Sequence, residues 1–472
     1  MPVSSRRFSA ACGLVLAGLS GTVAAADGEP DGGPFSFGFQ GGVNLVSERD
    51  LYWRLSDTFA SDTGFDPDAS WLEWYLKPHA SLELPVGEWT LFSRLSLVAS
   101  GSRGTDAYAA RNESDVGLEE AHLGLRRVFR PGRALELSYG PRELKLGTGM
   151  LVSNGGSNGF ERGALKLGPR KAWDLAAIAR LELDGHVLTG FHLSPNELES
   201  ADNGNRLAGL DWRWTLAEGG YLGVTAAKVT RSRSPYPQAS PPGSPPSVLP
   251  GGRDGLQFID AYARSPARGV GEARLAFTGE LALQRNGRID LQAWGGRVQA
   301  ELDFPERRWS PRLTLGLQAF SGDDPGTARL ERFDPLLYEG SPSAWATGSK
   351  SAMVFINSNL RALNLSLRLS PTPRDTFTLR YAHVRADQLG SPLQFGQATR
   401  LDFANGSSSV VTGVTRAHLS DDLFIEYLRI ANRNVYLGAG VSVSVPGKGI
   451  RAVAPGRTPA WTGAYANLVV NY

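Results

Sequence analysis

Residues Trp71–Ala99 read WLEWYLKPHASLELPVGEWTLFSRLSLVA, and the alternation inside this stretch decides the fold. Leu72, Trp74, Leu76, Pro78, Ala80, Leu82 and Leu84 share one parity, while Glu73, Tyr75, Lys77, His79, Ser81 and Glu83 share the other. After the turn Pro85-Val86-Gly87-Glu88 the pattern resumes. Trp89, Leu91, Leu95, Leu97 and Ala99 then stand against Thr90, Arg94 and Ser96. Side chains alternate across a strand, so this is a hairpin with one apolar and one polar face. In a soluble sandwich the apolar face would meet a second sheet. Here the pattern recurs to the last residue with matching turn punctuation, which a closed barrel in lipid accounts for better.

The N-terminus reads as a secretory signal over residues 1–26. Arg6 and Arg7 form a basic start, Ala10 to Leu19 a short apolar run, and Ala24-Ala25-Ala26 a small-residue cleavage site. The apolar run is too short to span a bilayer. The single cysteine, Cys12, falls inside this segment and lacks a lipobox, so the mature chain has neither disulfides nor thiolate metal sites. Without Arg6 and Arg7 the 49 basic residues become 47, against 47 acidic. A net charge of zero offers no field for nucleic acid. Elsewhere no run of about eighteen apolar residues occurs, which excludes helical spans. Glycine is abundant (56) and methionine scarce (3), and short alternating segments rich in Val, Leu, Thr and aromatics give a β composition. A bilayer admits only helices and closed barrels.

Strands are predicted near Phe35–Val46, Trp71–Leu84, Trp89–Ala99, Val116–Val128, Ala134–Leu144, Trp173–Leu183, His186–Ser194, Arg206–Leu216 and Tyr221–Thr230. They continue at Leu256–Arg264, Glu272–Gln284, Ile289–Asp303, Pro311–Ser321, Asn359–Ser370, Thr376–Arg385, Ala417–Ile430, Val435–Val445 and Ala460–Tyr472. The predicted class is therefore all-β: a transmembrane antiparallel barrel of about eighteen strands, an even number. Turns after even strands are short, such as Val86-Gly87 and Asp184-Gly185. Most odd strands are followed by long loops: Ser47–Ser70, Lys145–Ala172, Ser232–Gly255, Gly322–Ser358 and Ala386–Arg416. Short turns belong in the periplasm and long loops outside. Trp89 and Trp309 by the turns, and Trp71, Trp173 and Trp461 at the opposite ends, read as interfacial girdles. The proline-rich loop 232–255 is expected to be extended and solvated. Residues 27–472 form one domain.

Parity places Arg94, Arg126, Arg142, Arg180, Arg213, Arg274, Arg312, Arg368 and Arg380 on the inner face, with Lys77 and His79 in reach. Guanidinium groups stay charged and grip carboxylates with two prongs, so a ladder of them can pass an anionic polymer along. The same faces also carry Glu73, Glu83, Glu120, Glu136, Asp174, Glu182, Asp211, Glu272, Glu280 and Asp290. Cross-strand ion pairs that only hold the wall are the competing account. Parity is ambiguous in Ala417–Ile430 and at Gly295-Gly296, and no inner residues are assigned there. Asp323, Asp324 and Asp334 offer oxygen ligands for calcium without the regular loop spacing. His186, His192 and Ser194 are the nearest approach to a catalytic set, but no nucleophile turn or metal-binding helix motif accompanies them. No catalytic residue, cofactor or metal site is assigned.

The segment Leu135–Gly168 (LELSYGPRELKLGTGMLVSNGGSNGFERGALKLG) has a strand ending in Gly-x-Arg followed by a glycine-rich loop. It resembles the alginate-export family of outer-membrane barrels, whose motif Gly-Arg-Gln-x-Leu-x-x-Gly is met here by Gly140-Pro141-Arg142-Glu143-Leu144-Lys145-Leu146-Gly147, with altered order and no Gln. Ser321-Gly322-Asp323-Asp324-Pro325 and Phe333-Asp334-Pro335-Leu336 resemble the family's acidic loop. The C-terminal ending on Tyr472 resembles the signal read by the barrel-assembly machinery. The resemblance implies a monomeric, passive exit channel in outer-membrane lipid for an anionic polysaccharide, an alginate-like polyuronate. It also implies a periplasmic scaffold partner and a pore-narrowing loop, for which Leu151–Arg170 is the candidate. Arg142 is the one pore position carried over by motif. No phosphate-binding loop for an energy source occurs. The alternatives are a diffusion porin for small solutes, an exporter of another exopolysaccharide, and a barrel enzyme.

Overall fold

The computed structural model describes residues 33–55, 66–239, 247–339, 345, 355–393, 401–402, 407–408, 413–454 and 456–472. The signal segment with Cys12 lies outside the described residues. The eighteen predicted strands all form, most within two residues of their predicted bounds. They are β1 (Phe35–Arg49), β2 (Ala69–Val86), β3 (Trp89–Gly104), β4 (Ser114–Arg130), β5 (Arg133–Arg142), β6 (Trp173–Leu183), β7 (His186–Pro195), β8 (Arg206–Thr215) and β9 (Tyr221–Arg231). Then follow β10 (Gln257–Arg264), β11 (Ala273–Asn286), β12 (Leu291–Asp303), β13 (Arg312–Phe320), β14 (Leu360–Thr372), β15 (Asp375–Arg385), β16 (His418–Ile430), β17 (Val435–Pro446) and β18 (Trp461–Asn471).

Each strand pairs antiparallel with its neighbours in sequence, and β1 pairs with both β2 and β18, which closes the barrel. A three-residue piece, Arg268–Val270, folds back on β11 at a short turn. Closure leaves no sheet edge, so every strand's backbone is bonded without water. No helix among the described residues is long and apolar enough to cross a membrane; the strands do the crossing. Outward parity carries the belt. Leu76 is 47%, Leu95 53% and Leu123 55% exposed, whereas Glu73, Tyr75 and Lys77 of the inward parity are buried. Exposing such leucines to water would be unfavourable by the hydrophobic effect, and lipid removes that cost.

The interior is not uniformly polar. Its extracellular half is filled by loops that fold inward and form an apolar core with the strand ends. Trp53 is fully buried and donates from Nε1 to the Ser444 carbonyl at 3.0 Å. Trp461 donates to Glu48 at 2.7 Å, and its ring centroid lies 5.0 Å from that of Tyr52. Farther round, Tyr108 stacks on Phe160 at 5.2 Å. This core corrects the girdle expectation. Trp71, Trp173 and Trp461 are buried on the inward parity, because above mid-barrel the inside is the apolar side. Trp309, at 45% exposure, stands at the periplasmic rim, and an Arg127 guanidinium lies over Trp89. The proline-rich loop is corrected too. Tyr236–Gln238 pairs with Ser247–Leu249, and Pro235, Tyr236 and Pro237 are buried rather than solvated.

Candidate functional site: a plug above an arginine-rich vestibule

The segment 143–172, between β5 and β6, crosses the lumen, and wall carboxylates hold it by its backbone. Glu73 on β2 is fully buried. It accepts from Lys166 N (2.9 Å) and Leu167 N (2.9 Å), from Trp71 Nε1 (2.7 Å), and from Asn44 at 3.5 Å. Glu119 on β4 accepts from Lys171 N at 2.7 Å, from Ala172 N at 3.1 Å, and from Lys77 Nζ at 3.2 Å. Buried carboxylates are tolerable only with such donors. On the opposite wall Thr148 bonds to Glu280 of β11 and to Arg297 of β12. Arg297 in turn contacts Glu280 at 3.2 Å and Glu339 at 2.8 Å. The second inward loop, after β13, is stitched to the first. Leu337 N bonds to the Leu151 carbonyl at 3.0 Å and Ser153 N to the Leu337 carbonyl at 2.8 Å. Leu151–Arg170 thus lies inside the barrel, between its walls.

Local sequence explains the seating. Gly140 has φ +120°, and an added Cβ would run into the Ala121 carbonyl, so the strand can turn inward there only with glycine. Glu143, just past β5, is half-buried; desolvation would raise its carboxyl, but Lys77 and Lys171 outweigh it and hold the group below its ordinary value. In the loop between β3 and β4, burial pushes the Asp106 carboxyl up to about 7 despite amide donors at Tyr108 and Ala110.

Beneath the plug, the periplasmic half of the lumen is a vestibule, and every arginine named from parity lies on its inward face. On β3–β6 most have a carboxylate: Arg94–Glu120 at 3.0 Å, Arg142–Glu136 at 2.8 Å and Arg180–Glu182 at 3.1 Å. Arg142 also donates to Ser138 at 2.6 Å and lies over Phe92. Lys77 reaches Glu119 and Glu143, both at 3.2 Å. Arg126 of β4 stands in register with Glu136. Arg213 of β8 covers the Tyr221 ring at 4.2 Å. Across the vestibule, Arg274, Asp303, Arg312 and Arg368 form one continuous row over β11–β14. Asp303 pairs with Arg312 at 3.0 Å; no carboxylate among the described residues pairs with Arg274 or Arg368. Arg380 lies over Phe424 at 5.5 Å, and Arg264, which parity reasoning did not single out, pairs with Glu301 at 2.9 Å.

Other expectations come apart. Asp323 is occupied by the amides of Ala239 (2.7 Å) and Glu331 (2.9 Å), and Asp334 by Arg253 at 2.8 Å. With Asp324 they do not converge on a calcium site, because backbone and guanidinium donors consume their oxygens. His186 and His192 lie on the outward parity of β7, and His186 stacks on Trp212 and Trp214 with centroids 5.9 and 5.5 Å apart. They face away from the lumen and assemble no catalytic set with Ser194. Arg297 went unseen because Gly295-Gly296 erases the alternation beside it. Gly295 faces inward, where Phe320 and Phe333 close over its Cα.

The fold and the site define a channel-type outer-membrane barrel, which places the protein in the outer membrane of a Gram-negative cell. Residues 261–464 match the family model described as Alginate export, the family that the sequence resembles. No curated protein matches. Solved structures share the fold. OccK5 (OpdH) of Pseudomonas aeruginosa superposes with a TM-score of 0.54 at 9% identity, covering 93% of this chain and 98% of that one. OpdK of the same organism, solved with vanillate, gives 0.52 at 10% identity over 93% and 98%. OccK2 (OpdF) in complex with glucuronate gives 0.50 at 12% over 93% and 96%. The matched model is one of export, and the superposed structures share the barrel fold.

Proposed function

We propose that this barrel is a passive exit channel for an anionic polysaccharide, an alginate-like polyuronate, that enters from the periplasm. The observation that carries the reading is the row Arg274–Asp303–Arg312–Arg368. It supplies three guanidinium groups and one carboxylate at the periplasmic mouth, where an exported chain meets the barrel first. A guanidinium in a water-filled vestibule grips a uronate carboxylate weakly enough to release it, which conduction requires. The stretch matching the export family, 261–464, contains this row together with Arg264 and Arg380. Glucuronate, bound in the OccK2 structure, is a uronate monomer and supports the same chemistry. Arg142, Arg94, Arg126, Arg180, Arg213 and Lys77 complete the proposed lining, mostly as members of ion pairs. The reading carries with it a monomeric barrel, a periplasmic scaffold that delivers polymer, and insertion by the barrel-assembly machinery.

A second reading, a diffusion porin for small anions, draws on the balanced pairs of the β3–β6 wall, since balance suits a small solute better than a polyanion. Reversal potential in a planar bilayer under a salt gradient, with polymannuronate added at the periplasmic side, separates the two. Anion selectivity with block by the polymer is expected. Block by glucuronate but not by polymer would leave the porin, and cation selectivity would sink both.

A further inference from the structure

Two of the chain's six histidines, His383 and His418, meet outside the lumen, on the outward face at the extracellular ends of β15 and β16. His383 Nδ1 lies 2.8 Å from Asp421 Oδ1, and His418 Nε2 lies 2.9 Å from Asp421 Oδ2. One ligand atom from each of the three residues falls within 4.8 Å of the others. The imidazole rings stack with centroids 4.8 Å apart. The Tyr381 hydroxyl donates to Asp421 Oδ1 at 2.7 Å. Side-chain exposures of 30–33% place all three at the outer surface of the barrel.

The backbone is built to make this meeting. Residues three apart on a regular strand point to opposite faces, so His418 and Asp421 should not share one. They do because the ladder slips. His383 faces Asp421 and Val384 faces Ser420, but Arg385 faces His418, leaving Leu419 as the extra residue of a bulge. Leu419 and Ser420 are fully buried, and the bulge re-aims His418 to the outside beside His383. A bulge that turns a side chain toward two other donors is the device by which sheets assemble sites. A cluster that only tied two strands together would need one histidine and no bulge.

We propose that His383, His418 and Asp421 form a three-ligand site for a late first-row divalent cation, with water completing the shell. Two neutral imidazole nitrogens and one carboxylate suit Zn²⁺ in kind and number. The Tyr381 hydroxyl positions the carboxylate, as outer partners of metal ligands do. Bound there, the ion clamps β15 to β16 at the base of the connection they share. The site is independent of the polymer reading, since it faces away from the lumen.

The test is calorimetric titration of tag-free, chelator-stripped barrel in detergent with ZnCl₂, beside its thermal unfolding with and without Zn²⁺. One ion per barrel and a raised transition temperature are expected, since binding to the folded state alone stabilises it. H383A and H418A should each weaken binding by about tenfold or more, on the scale seen when metal-site partners are lost, while the control H186A/H192A leaves it unchanged. Folding of each variant is checked by heat-modifiable migration, and H383Q and H418Q stand in for any that fail. With Co²⁺, ligand-field absorption in the visible should appear in the parent and vanish in the variants. No heat with Zn²⁺, or heat that survives H383A and H418A, overturns the proposal.

Discussion

The walls on either side of the vestibule use the same residue types in different ways. On β2–β6 the carboxylates are in demand: Glu73 and Glu119 hold the plug's backbone, and Glu120, Glu136 and Glu182 each take an arginine. On β11–β14 near the mouth, Asp303 stands among Arg274, Arg312 and Arg368. A count of inward arginines treats these walls as equal. Their chemistry differs, because a charge already matched at 3 Å is dipolar at a distance, whereas an unmatched one projects its field into the lumen within the Debye length, about 10 Å at 0.1 M salt. On the proposed reading the paired wall holds structure, and the row sets the selectivity.

The largest effect should come from breaking the paired wall at its deepest point. Glu73→Ala strips the acceptor from Lys166 N, Leu167 N and Trp71 Nε1 together. With buried donors each costing about 1–3 kcal/mol when orphaned, and not additively, a loss of about 3–5 kcal/mol is expected. Urea unfolding in detergent would read it. The same variant should raise single-channel conductance and open Lys166 and Lys171 to trypsin. Unchanged conductance would mean that Glu119, Glu280 and Arg297 seat the plug without Glu73, and the contrast between the walls would lose its deepest support.

Next comes the row. Arg274→Ala with Arg368→Ala should leave the unfolding transition in place, since among the described residues neither side chain pairs with a carboxylate. Block by polymannuronate should weaken by about three- to tenfold, corresponding to roughly 0.7–1.4 kcal/mol from two water-exposed contacts. Raising the salt should shrink the difference between parent and variant. A double variant that blocks as tightly as the parent would show that the row is not on the polymer's path.

The sequence reveals more of the walls than of what lies between them. Alternation and turn residues place all eighteen strands, because both signals are local. Parity likewise puts Arg94 or Arg368 on the inner face without any long-range knowledge. The plug is invisible at that level, since its anchors join residues far apart, such as Glu73 and Lys166. Trp71, Trp173 and Trp461 mislead for the same reason: inward-folded loops make the upper lumen apolar, inverting the rule that the inside of a channel is polar. Arg297 hides behind two glycines with no side chains to alternate, and His418 behind a bulge that breaks the period itself.

The smallest expected effect is the sharpest test of the contrast. Arg142→Ala alone leaves Glu136 unmatched and changes the lumen's charge, so a loss of selectivity from it would not say which wall is at work. Arg142→Ala combined with Glu136→Gln removes the 2.8 Å pair whole and leaves the net charge as it was. For this half-buried pair a stability loss of about 1 kcal/mol is expected, with reversal potential and polymer block at parental values. If the neutral double variant nevertheless loses block, Arg142 grips polymer directly when polymer is present, exchanging Glu136 for a uronate carboxylate. The pairs of β3–β6 would then be reserve binding sites rather than structure, and the two walls would differ only in which of their arginines is free before the polymer arrives.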